Sequence, residues 1–304
     1  MPGELNVVTG AFGYTGKYIT RHLLARGKDV LTLTGRPGKP NPFGQRVTAV
    51  PYKFDRPGEL AKSMQGATTL FNTYWVRFPY AQTNYDQAVK NTLALIRAAE
   101  EAGLQRIVHI SIANASPASP LPYFKGKGLL EEAIARSSLS YAILRPTVIF
   151  GPEDILINNI AWLLRRFPLF AVPGKGDYRL QPVFVEDMAD LAVRTAGEAE
   201  NIAIDAVGPE VFTFNELVRL IREVVRSRAG IVHLNPDLAL YMSSLVGLLV
   251  NDVVLTRDEV EGLMANLLVS GAEPTGQTRL SSWLKSNKDS LGATYASELS
   301  RHYR

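Results

Sequence analysis

The stretch Leu5-Asn6-Val7-Val8-Thr9-Gly10-Ala11-Phe12-Gly13-Tyr14-Thr15-Gly16 decides the fold of this 304-residue chain. Its first five residues are a short apolar, β-branched run, which predicts a buried strand over Leu5–Thr9. Three glycines follow with the spacing G-x-x-G-x-x-G, and the apolar spacing of Gly16–Arg26 predicts a helix. The sequence therefore predicts a strand, a glycine-rich turn and a helix in direct succession.

This glycine turn suits a pyrophosphate group. Gly10 would permit the tight turn, Gly13 would let backbone N–H groups approach the anion, and Gly16 would let the helix pack closely on the sheet. The helix N-terminus would add partial positive charge. An ordinary strand–turn–helix without a ligand is the alternative. We expect a dinucleotide site whose turn residues are Thr9, Gly10, Phe12, Gly13, Tyr14, Thr15 and Gly16.

Further strands and helices alternate along the first half of the chain. Apolar runs predict strands, and apolar residues at helical spacing predict helices. The predicted strands are Val30–Thr34, Val47–Phe54, Thr68–Thr73, Arg106–Ser111 and Ser140–Leu144, and the predicted helices are Glu59–Met64, Tyr85–Ala102 and Gly126–Arg136. Because strands separated by helices form parallel β-α-β units, we predict an α/β fold with a Rossmann-type, doubly wound parallel sheet.

The pattern changes near Gly151, so we expect a Rossmann core over residues 1–150 and a second segment over residues 151–304. The second segment should return partly to the core and form a smaller, mostly helical C-terminal lobe for a substrate or partner. From about Val232 the sequence predicts mostly helix, with no further β-α alternation. The preceding predicted helices are Ile155–Phe167, Val183–Ala196 and Phe214–Ser227.

Composition excludes several classes of protein. The chain has no cysteine, which excludes disulfides and thiolate chemistry. Its net charge is +4 and no Lys/Arg block stands out, so we expect no nucleic acid partner. The N-terminal sequence lacks the features of a signal peptide, and the apolar stretch Leu238–Leu255 is shorter than the ~20 apolar residues of a spanning helix. We expect a cytoplasmic protein without a transmembrane segment.

The histidines give no sign of a metal site, because they are scattered rather than clustered. His109 alternates with apolar residues in a predicted strand, which favours a hydrogen-bonded core residue over a catalytic one. Aromatic side chains either line an apolar substrate cleft or belong to the core. They are Trp75, Tyr80, Trp162 and Phe167.

The end of the second predicted strand bears on cofactor choice. NAD-binding Rossmann sites place an acidic residue there, on the ribose 2′-hydroxyl. Leu33-Thr34-Gly35-Arg36-Pro37 has no carboxylate at this place. Arg36 can instead pair with a 2′-phosphate, although a solvated surface arginine is the alternative reading of this side chain. We therefore expect NADP(H) as the preferred cofactor, with NAD(H) as the second choice.

A candidate catalytic pair follows in Tyr123-Phe124-Lys125-Gly126-Lys127, which contains Y-x-x-x-K. On a helix these two positions share a face, so a phenol and an ammonium can reach one ligand. Hydride transfer at an alcohol carbon requires a proton to move at the oxygen, and a nearby cation lowers the pKa of a tyrosine for that step. Ser111, at the end of a predicted strand, could hydrogen-bond the substrate oxygen. Tyr123 and Lys127 as bystanders at a helix start are the alternative.

The glycine spacing and the Y-x-x-x-K motif together resemble the extended and atypical short-chain dehydrogenase/reductase superfamily. The resemblance includes Arg145–Pro152 and Gln181–Asp187 and spans about residues 5–190. It implies an NAD(P)(H)-dependent oxidoreductase acting on an alcohol or carbonyl, with Ser111, Tyr123 and Lys127 as catalytic residues. The further cofactor contacts that it implies are Asp55 at the adenine, Asn72, Thr73 and Tyr74 under the ribose, Lys127 at the nicotinamide ribose, and Pro146 and Thr147 beside the nicotinamide.

Two other functions remain open. The chain also resembles the NAD(P)H-binding accessory subunit of respiratory complex I and its bacterial relatives, which implies a nucleotide held for structural or regulatory purposes. Leu238–Leu255 and the C-terminal tail would then dock onto protein or onto a membrane surface. Nucleotide-sugar epimerases and dehydratases have the same shape, but they usually favour NAD, and the missing carboxylate after the second strand argues against them.

Overall fold

The computed structural model describes residues 3–38 and 40–302. A short 3-10 helix covers Gly44–Arg46. The strands are β1 (Leu5–Thr9), β2 (Asp29–Thr34), β3 (Val47–Pro51), β4 (Ala67–Asn72), β5 (Arg106–Ile110), β6 (Ser140–Pro146), β7 (Ile149–Phe150), β8 (Leu169–Pro173), β9 (Arg179–Leu180), β10 (Val183–Phe184), β11 (Ile202–Ala206), β12 (Phe212–Thr213) and β13 (Gly230–Leu234). The helices are α1 (Tyr14–Ala25), α2 (Pro57–Ser63), α3 (Tyr85–Glu101), α4 (Pro122–Ala135), α5 (Leu156–Arg166), α6 (Val185–Ala196), α7 (Phe214–Val224), α8 (Pro236–Val250), α9 (Arg257–Met264), α10 (Leu280–Ser286) and α11 (Glu298–His302).

A seven-stranded sheet with the order β11-β6-β5-β4-β1-β2-β3 forms the centre of the fold. The pairings among β1 to β6 are all parallel. The strand order reverses between β1 and β4, and a ligand of such a sheet binds beyond the carboxyl ends of the strands at this point. The predicted Rossmann-type α/β fold is confirmed.

The chain divides into two compact units. Unit 1 comprises Met1–Pro146 and Val185–Asp205, and unit 2 comprises Thr147–Phe184 and Ala206–Arg304. The return of Val185–Asp205 brings α6 and most of β11 into the first unit. Unit 1 therefore holds the central sheet except for Ala206, the last residue of β11, and its first segment ends shortly before the boundary expected at residue 150.

The core of unit 1 lies between the sheet and its helices. Strand residues such as Val7, Leu70 and Ile107 are fully buried, and Leu95 of α3 packs in the same cluster. Burying a side chain of this size stabilises a fold by about 1.5–3 kcal/mol. Asn84 caps α3, since its side chain accepts a hydrogen bond from the Gln87 backbone N–H at 2.7 Å.

Unit 2 has its own core, built around Phe150, Ile157 and Leu217. The expectation of helix from about Val232 is wrong at its start, because Gly230–Leu234 is a strand that pairs in parallel with Leu169–Pro173. That partner lies far away in sequence, so local spacing could not reveal the pairing. Helices α8 to α11 then follow as expected.

Two differences concern the elements near the expected site. Helix α4 begins at Pro122 and not at Gly126, because a proline is well accommodated in the first turn of a helix. The third strand ends at Pro51, before the expected Phe54. Within the described residues, none of the helices combines the length and apolar character that crossing a bilayer requires.

Candidate functional site

The glycine turn joins β1 to α1 in a conformation that its glycines permit. Gly10 has a φ of +68°, a value that is strained for residues with a side chain. Its N–H donates to the Leu33 carbonyl of β2 at 2.8 Å, and its carbonyl accepts from the Gly13 N–H at 2.8 Å. Backbone hydrogen bonds therefore fix the turn to the carboxyl end of β2.

The helix N-terminus behind this turn is shaped for an anion. Gly13 is the N-cap of α1, and no side chain caps the first turn. A Cβ on Gly16 would lie 2.3 Å from the Gly10 carbonyl oxygen, so only glycine lets the helix start this close to the turn. Backbone N–H groups and the helix dipole together suit a phosphate. The turn residues thus fit the diphosphate of a dinucleotide.

Thr9 and the end of β4 form a buried hydrogen-bond network beside the turn. The Thr9 hydroxyl lies 3.2 Å from Asn72 Oδ1 and accepts from the N–H groups of Thr73 and Tyr74 at 2.7 and 3.0 Å. The Thr73 hydroxyl donates back to the Thr9 carbonyl at 2.5 Å. The predicted ribose segment is therefore attached to the predicted phosphate turn, and the two are held as one element.

His109 of β5 extends this network. Asn72 Nδ2 donates to His109 Nδ1 at 3.0 Å, whereas His109 Nε2 is buried and has no hydrogen-bond partner among the described residues. His109 lies in the core, as expected, but only one of its two ring nitrogens is hydrogen-bonded. Burial, together with the nearby Lys127 charge, lowers the pKa of His109 well below its usual value. The imidazole is therefore neutral.

Arg36 lies half-buried just beyond β2, as the sequence predicts. Its backbone N–H donates to the Thr34 hydroxyl at 3.1 Å. The following loop is held against the glycine turn, because the ring of Phe43 stacks with that of Phe12 at 6.5 Å between centroids. Arg46 anchors the far end of the loop by donating to the Leu24 carbonyl at 2.7 Å. This is the position at which the sequence predicts a contact to a 2′-phosphate.

The expected adenine contact, Asp55, is 80% exposed and lies 3.6 Å from Arg56 in an ion pair. Three aromatic rings from the segments that follow β3 and β4 lie together instead. The Tyr52 and Phe54 rings stack at 4.8 Å, and the Tyr74 ring lies 5.3 Å from Tyr52 and 5.4 Å from Phe54. Sequence reasoning missed this cluster, although the aromatic alternation Tyr-Lys-Phe after β3 was a visible signal.

Ser111, the expected substrate contact, is engaged by a carboxylate. Its hydroxyl donates to Glu131 Oε1 at 2.5 Å, and only 4% of the residue is exposed. Arg145 holds the same carboxylate through its Nε, which lies 3.1 Å from each oxygen. The structure therefore joins Ser111, Glu131 and Arg145, a set that the sequence did not predict.

Lys127 is buried inside unit 1. Its Nζ donates to the Ile110 carbonyl at 2.7 Å and lies 4.6 Å from the centroid of the Trp75 ring. Burial lowers the pKa of Lys127 to about 7, and the charge of Glu131 opposes that shift. Near neutral pH the amine is therefore partly deprotonated.

Tyr123, the other half of the predicted pair, lies in the first turn of α4 and packs edge-on against two rings. Its ring centroid is 5.7 Å from that of Trp75 and 5.9 Å from that of Tyr85. Tyr123 and Lys127 are four residues apart on α4, so they share a face of the helix. Trp75, a residue that the sequence assigns either to an apolar cleft or to the core, touches both of them.

The last two expected contacts fall on either side of the division between the units. The Pro146 carbonyl, in unit 1, accepts from the Ala113 N–H at 2.8 Å. Thr147, in unit 2, is buried, and its hydroxyl donates to the Gln181 carbonyl. In the described parts of the chain, no three His, Asp or Glu side chains are grouped so that they could hold a metal ion.

The sequence is similar to a family model and to several known proteins. The family model described as NAD(P)H-binding matches residues 10–154. The Arabidopsis thaliana protein "NADH dehydrogenase [ubiquinone] 1 alpha subcomplex subunit 9, mitochondrial" is 28% identical over 88% of this chain and 71% of its own length. The Guillardia theta protein "Photosystem II assembly factor Ycf39" is 24% identical over 92% of both chains.

Solved structures share the fold at low identity. A nucleoside-diphosphate-sugar epimerase from Staphylococcus aureus superposes with a TM-score of 0.77 at 16% identity and covers 94% of this chain and 100% of its own. An NADPH-dependent quinone oxidoreductase from Escherichia coli, solved with NADPH, gives a TM-score of 0.76 at 19% identity over 92% and 99% of the two chains. Residues 10–154 therefore form an NAD(P)H-binding domain, within a chain that has the same Rossmann-type fold as this epimerase and this quinone oxidoreductase.

Proposed function

We propose that this protein binds NADP(H) as a retained ligand and acts as an accessory or regulatory nucleotide-binding protein with little turnover of its own. The observation that carries the proposal is the hydrogen bond from Ser111 to Glu131. In the reductase chemistry implied by the resemblance, this serine gives its hydrogen to the substrate oxygen. Here the one hydroxyl hydrogen of Ser111 is given to a carboxylate that Arg145 holds in place.

Releasing Ser111 for a substrate would be costly. A hydrogen bond to a charged group contributes about 1.5–3 kcal/mol, and Glu131 would keep its charge in a buried position with one partner fewer. A substrate carbonyl is a weaker acceptor than a carboxylate. The serine therefore favours its present partner over a substrate.

NADP(H) is the form of the nucleotide that the site favours. Arg36 stands where NAD-binding sites have an acidic residue, and its guanidinium can pair with a 2′-phosphate. The quinone oxidoreductase of similar fold was solved with NADPH. The names of the two relatives, a subunit of a larger complex and an assembly factor, favour an accessory role.

A second candidate is an NADP(H)-dependent oxidoreductase acting on an alcohol or carbonyl. The observation that favours it is the Tyr123–Lys127 pair, which is present on one face of α4. A lysine with a pKa of about 7 can also exchange a proton near neutral pH. Tyr123 would move the proton at the substrate oxygen in this function.

Two measurements on the purified protein distinguish the two functions. One portion is denatured and its released nucleotide is measured, and a second, native portion is followed by NADPH absorbance with a panel of aldehydes, ketones and quinones. We expect NADP(H) to be released and to remain unoxidised with every member of the panel. Oxidation that falls ~10²–10⁴-fold in Tyr123→Phe would establish the oxidoreductase instead.

An accessory protein needs a surface for its partner, and we propose α8 for this role. Six large side chains of α8 are exposed, among them Leu248 at 80% and Leu249 at 76%. They fall within ~120° of the helix circumference at 100° per residue. The six are Leu238, Tyr241, Met242, Leu245, Leu248 and Leu249, and we call them the α8 stripe.

We assign the α8 stripe to a protein partner and not to an anionic lipid surface. The adjoining helix α9 has three acidic residues and one basic residue, and that basic residue, Arg257, pairs with Asp237 of α8 at 2.7 Å. An amphipathic helix that binds anionic lipid carries lysines and arginines on its polar side. The charges beside the stripe have the opposite sign.

The partner surface is tested with Leu248→Ser/Leu249→Ser. A protein retained by the wild type should re-form the complex from purified components and should fail to do so with the double variant. Two results would overturn the assignment. The wild type could float with vesicles of phosphatidylcholine and phosphatidylglycerol, or self-associate in light scattering, and the double variant could lose that behaviour.

A further inference from the structure

Trp75 covers the face of α4 that carries the predicted catalytic pair. The residue follows β4 and directly succeeds Asn72-Thr73-Tyr74. Its indole lies 5.7 Å from the Tyr123 ring and 4.6 Å from Lys127 Nζ. Tyr123, Gly126 and Lys127 are spaced i, i+3, i+4 and therefore form one stripe along the helix. The indole lies along that stripe.

Gly126 is adapted to this indole. A Cβ at position 126 would lie 2.7 Å from Trp75 Cη2, which is closer than real Cβ atoms come, and 3.2 Å from Val89 Cγ2, which is a tight contact. Glycine inside a helix is destabilising relative to alanine, so its presence in the middle of α4 needs a reason. The close approach of Trp75 supplies that reason.

The Trp75 indole packs between Tyr85 and Lys127 and shields the lysine from solvent. The Tyr85 ring stacks on Trp75 at 6.1 Å with an interplanar angle of 19°. Trp75 Nε1 is buried and has no hydrogen-bond partner in the described ranges. Lys127 is only 3% exposed, and its ammonium meets the Ile110 carbonyl and the indole face. A cation over an aromatic face is attracted to it, which favours this arrangement.

We propose that Trp75 determines which part of the nucleotide the chain holds. The indole occupies the side of Tyr123 and Lys127 that a nicotinamide riboside would need, so the dinucleotide is bound through its adenosine and phosphate groups. The nicotinamide end contacts Lys127 only when the indole is moved away. This inference rests on the proposed function. It explains why the protein would have little turnover although it contains the Y-x-x-x-K motif.

Two ligands distinguish binding through the adenosine and phosphate groups from binding through the nicotinamide riboside. Adenosine 2′,5′-bisphosphate carries the adenine and the 2′-phosphate but no nicotinamide riboside. Calorimetry on the wild type should give dissociation constants for NADPH and for this bisphosphate that agree within about threefold. In Trp75→Ala the affinity for NADPH should rise about tenfold, because no indole has to be displaced, and the affinity for the bisphosphate should stay the same.

Gly126→Ala is the second variant, since it forces the indole off the helix without leaving a cavity, and it should raise the NADPH affinity in the same direction. Trp162→Ala is the control, because Trp162 belongs to unit 2, and it should change neither affinity. The inference is overturned if Trp75→Ala weakens NADPH binding or leaves both affinities unchanged. Failure of the proposed function looks different, since neither ligand would then bind the wild type.

Chemical modification gives an independent readout that does not depend on a ligand. Lys125 is exposed and lies two residues from Lys127, so it serves as an internal reference. With acetic anhydride and mass spectrometry, Lys127 should react more slowly than Lys125 in the wild type. In Trp75→Ala the ratio of the two rates should rise at least tenfold. Equal rates in the wild type would overturn the claim that the indole covers Lys127.

Discussion

The hydroxyl of Ser111 donates to Oε1 of Glu131, and both residues are more than nine-tenths buried. They are twenty positions apart, one at the end of β5 and the other inside α4. The hydrogen bond therefore joins the sheet to the helix that carries Tyr123 and Lys127. It gives Ser111 a structural role that can be separated from a role in chemistry.

Ser111→Ala should lower stability and leave nucleotide binding unchanged. The variant removes a hydrogen bond to a buried carboxylate, which costs about 1–3 kcal/mol. Ser138→Ala is the matched control, because Ser138 donates to Glu100 at 2.9 Å on the surface, where water replaces the lost partner. Urea unfolding and NADPH calorimetry measure the two effects. An unchanged midpoint together with weaker NADPH binding would place Ser111 at the ligand.

Gly13→Val should abolish most of the NADPH affinity. A Cβ at this position would already lie 3.1 Å from the Gly10 carbonyl oxygen, and the branched side chain would stand at the helix N-terminus where the diphosphate binds. We expect a loss of at least about tenfold, equivalent to about 1.4 kcal/mol. Gly58→Ala is the control, because a Cβ at Gly58 meets nothing within 4 Å. Unchanged calorimetry for Gly13→Val would mean that the turn holds no phosphate.

Arg36→Ala should remove the preference for the phosphorylated cofactor. The wild type should bind NADPH about tenfold or more tightly than NADH, since a charge-assisted contact to phosphate contributes about 1.5–3 kcal/mol. The variant should bind both nucleotides about equally. Arg97→Ala, on the exposed side of α3, should behave as the wild type. Equal affinities in the wild type would contradict the NADP(H) assignment and favour an NAD-dependent epimerase.

Lys127→Met should change how stability depends on pH. Burial lowers the pKa of Lys127 to about 7 in the folded chain, whereas an unfolded lysine has a pKa of about 10.4. Between these values the unfolded chain binds the additional proton, so this group makes the wild type more stable as pH rises from about 7 to about 10. The folded state carries the full cost of the buried charge below pH 7.

The measurement compares urea unfolding at pH 6.5 and pH 9.5. The wild type should gain free energy of unfolding relative to Lys127→Met over this interval. Lys125→Met, at an exposed position of the same helix, should follow the wild type. Parallel pH profiles for the wild type and Lys127→Met would show that Lys127 is not buried as a charge.

The sequence allowed the frame of the site to be predicted because its signals are local. The run Leu5–Thr9, the three glycines and the helix behind them lie within one short segment, and each has a direct physical cause. Helix α4 was predicted to start too late, because Gly126 carries the signal of a helix boundary. In the structure this glycine makes room for Trp75 instead.

The features that were missed depend on residues distant in sequence. The sequence does not indicate that Glu131 contacts Ser111, and only the fold shows that this carboxylate accepts from Ser111 and pairs with Arg145. The rings of Tyr52 and Tyr74 meet although β1 and β2 lie between β4 and β3 in the sheet. Composition and spacing carry no information about which side chains meet across such distances.

The first unit is made of two separate stretches of chain, and this has a consequence for synthesis on the ribosome. The strand β11 and the helix α6 complete unit 1, yet Thr147–Phe184 of unit 2 is translated before them. His22 of α1 therefore gains its partner Glu186, 2.8 Å away in the finished protein, only after all of Thr147–Phe184 has been synthesised. A nascent chain ending near residue 150 already contains every predicted phosphate contact but has β6 as an open sheet edge. The nucleotide-binding unit is thus complete only after the first stretch of unit 2 has been synthesised.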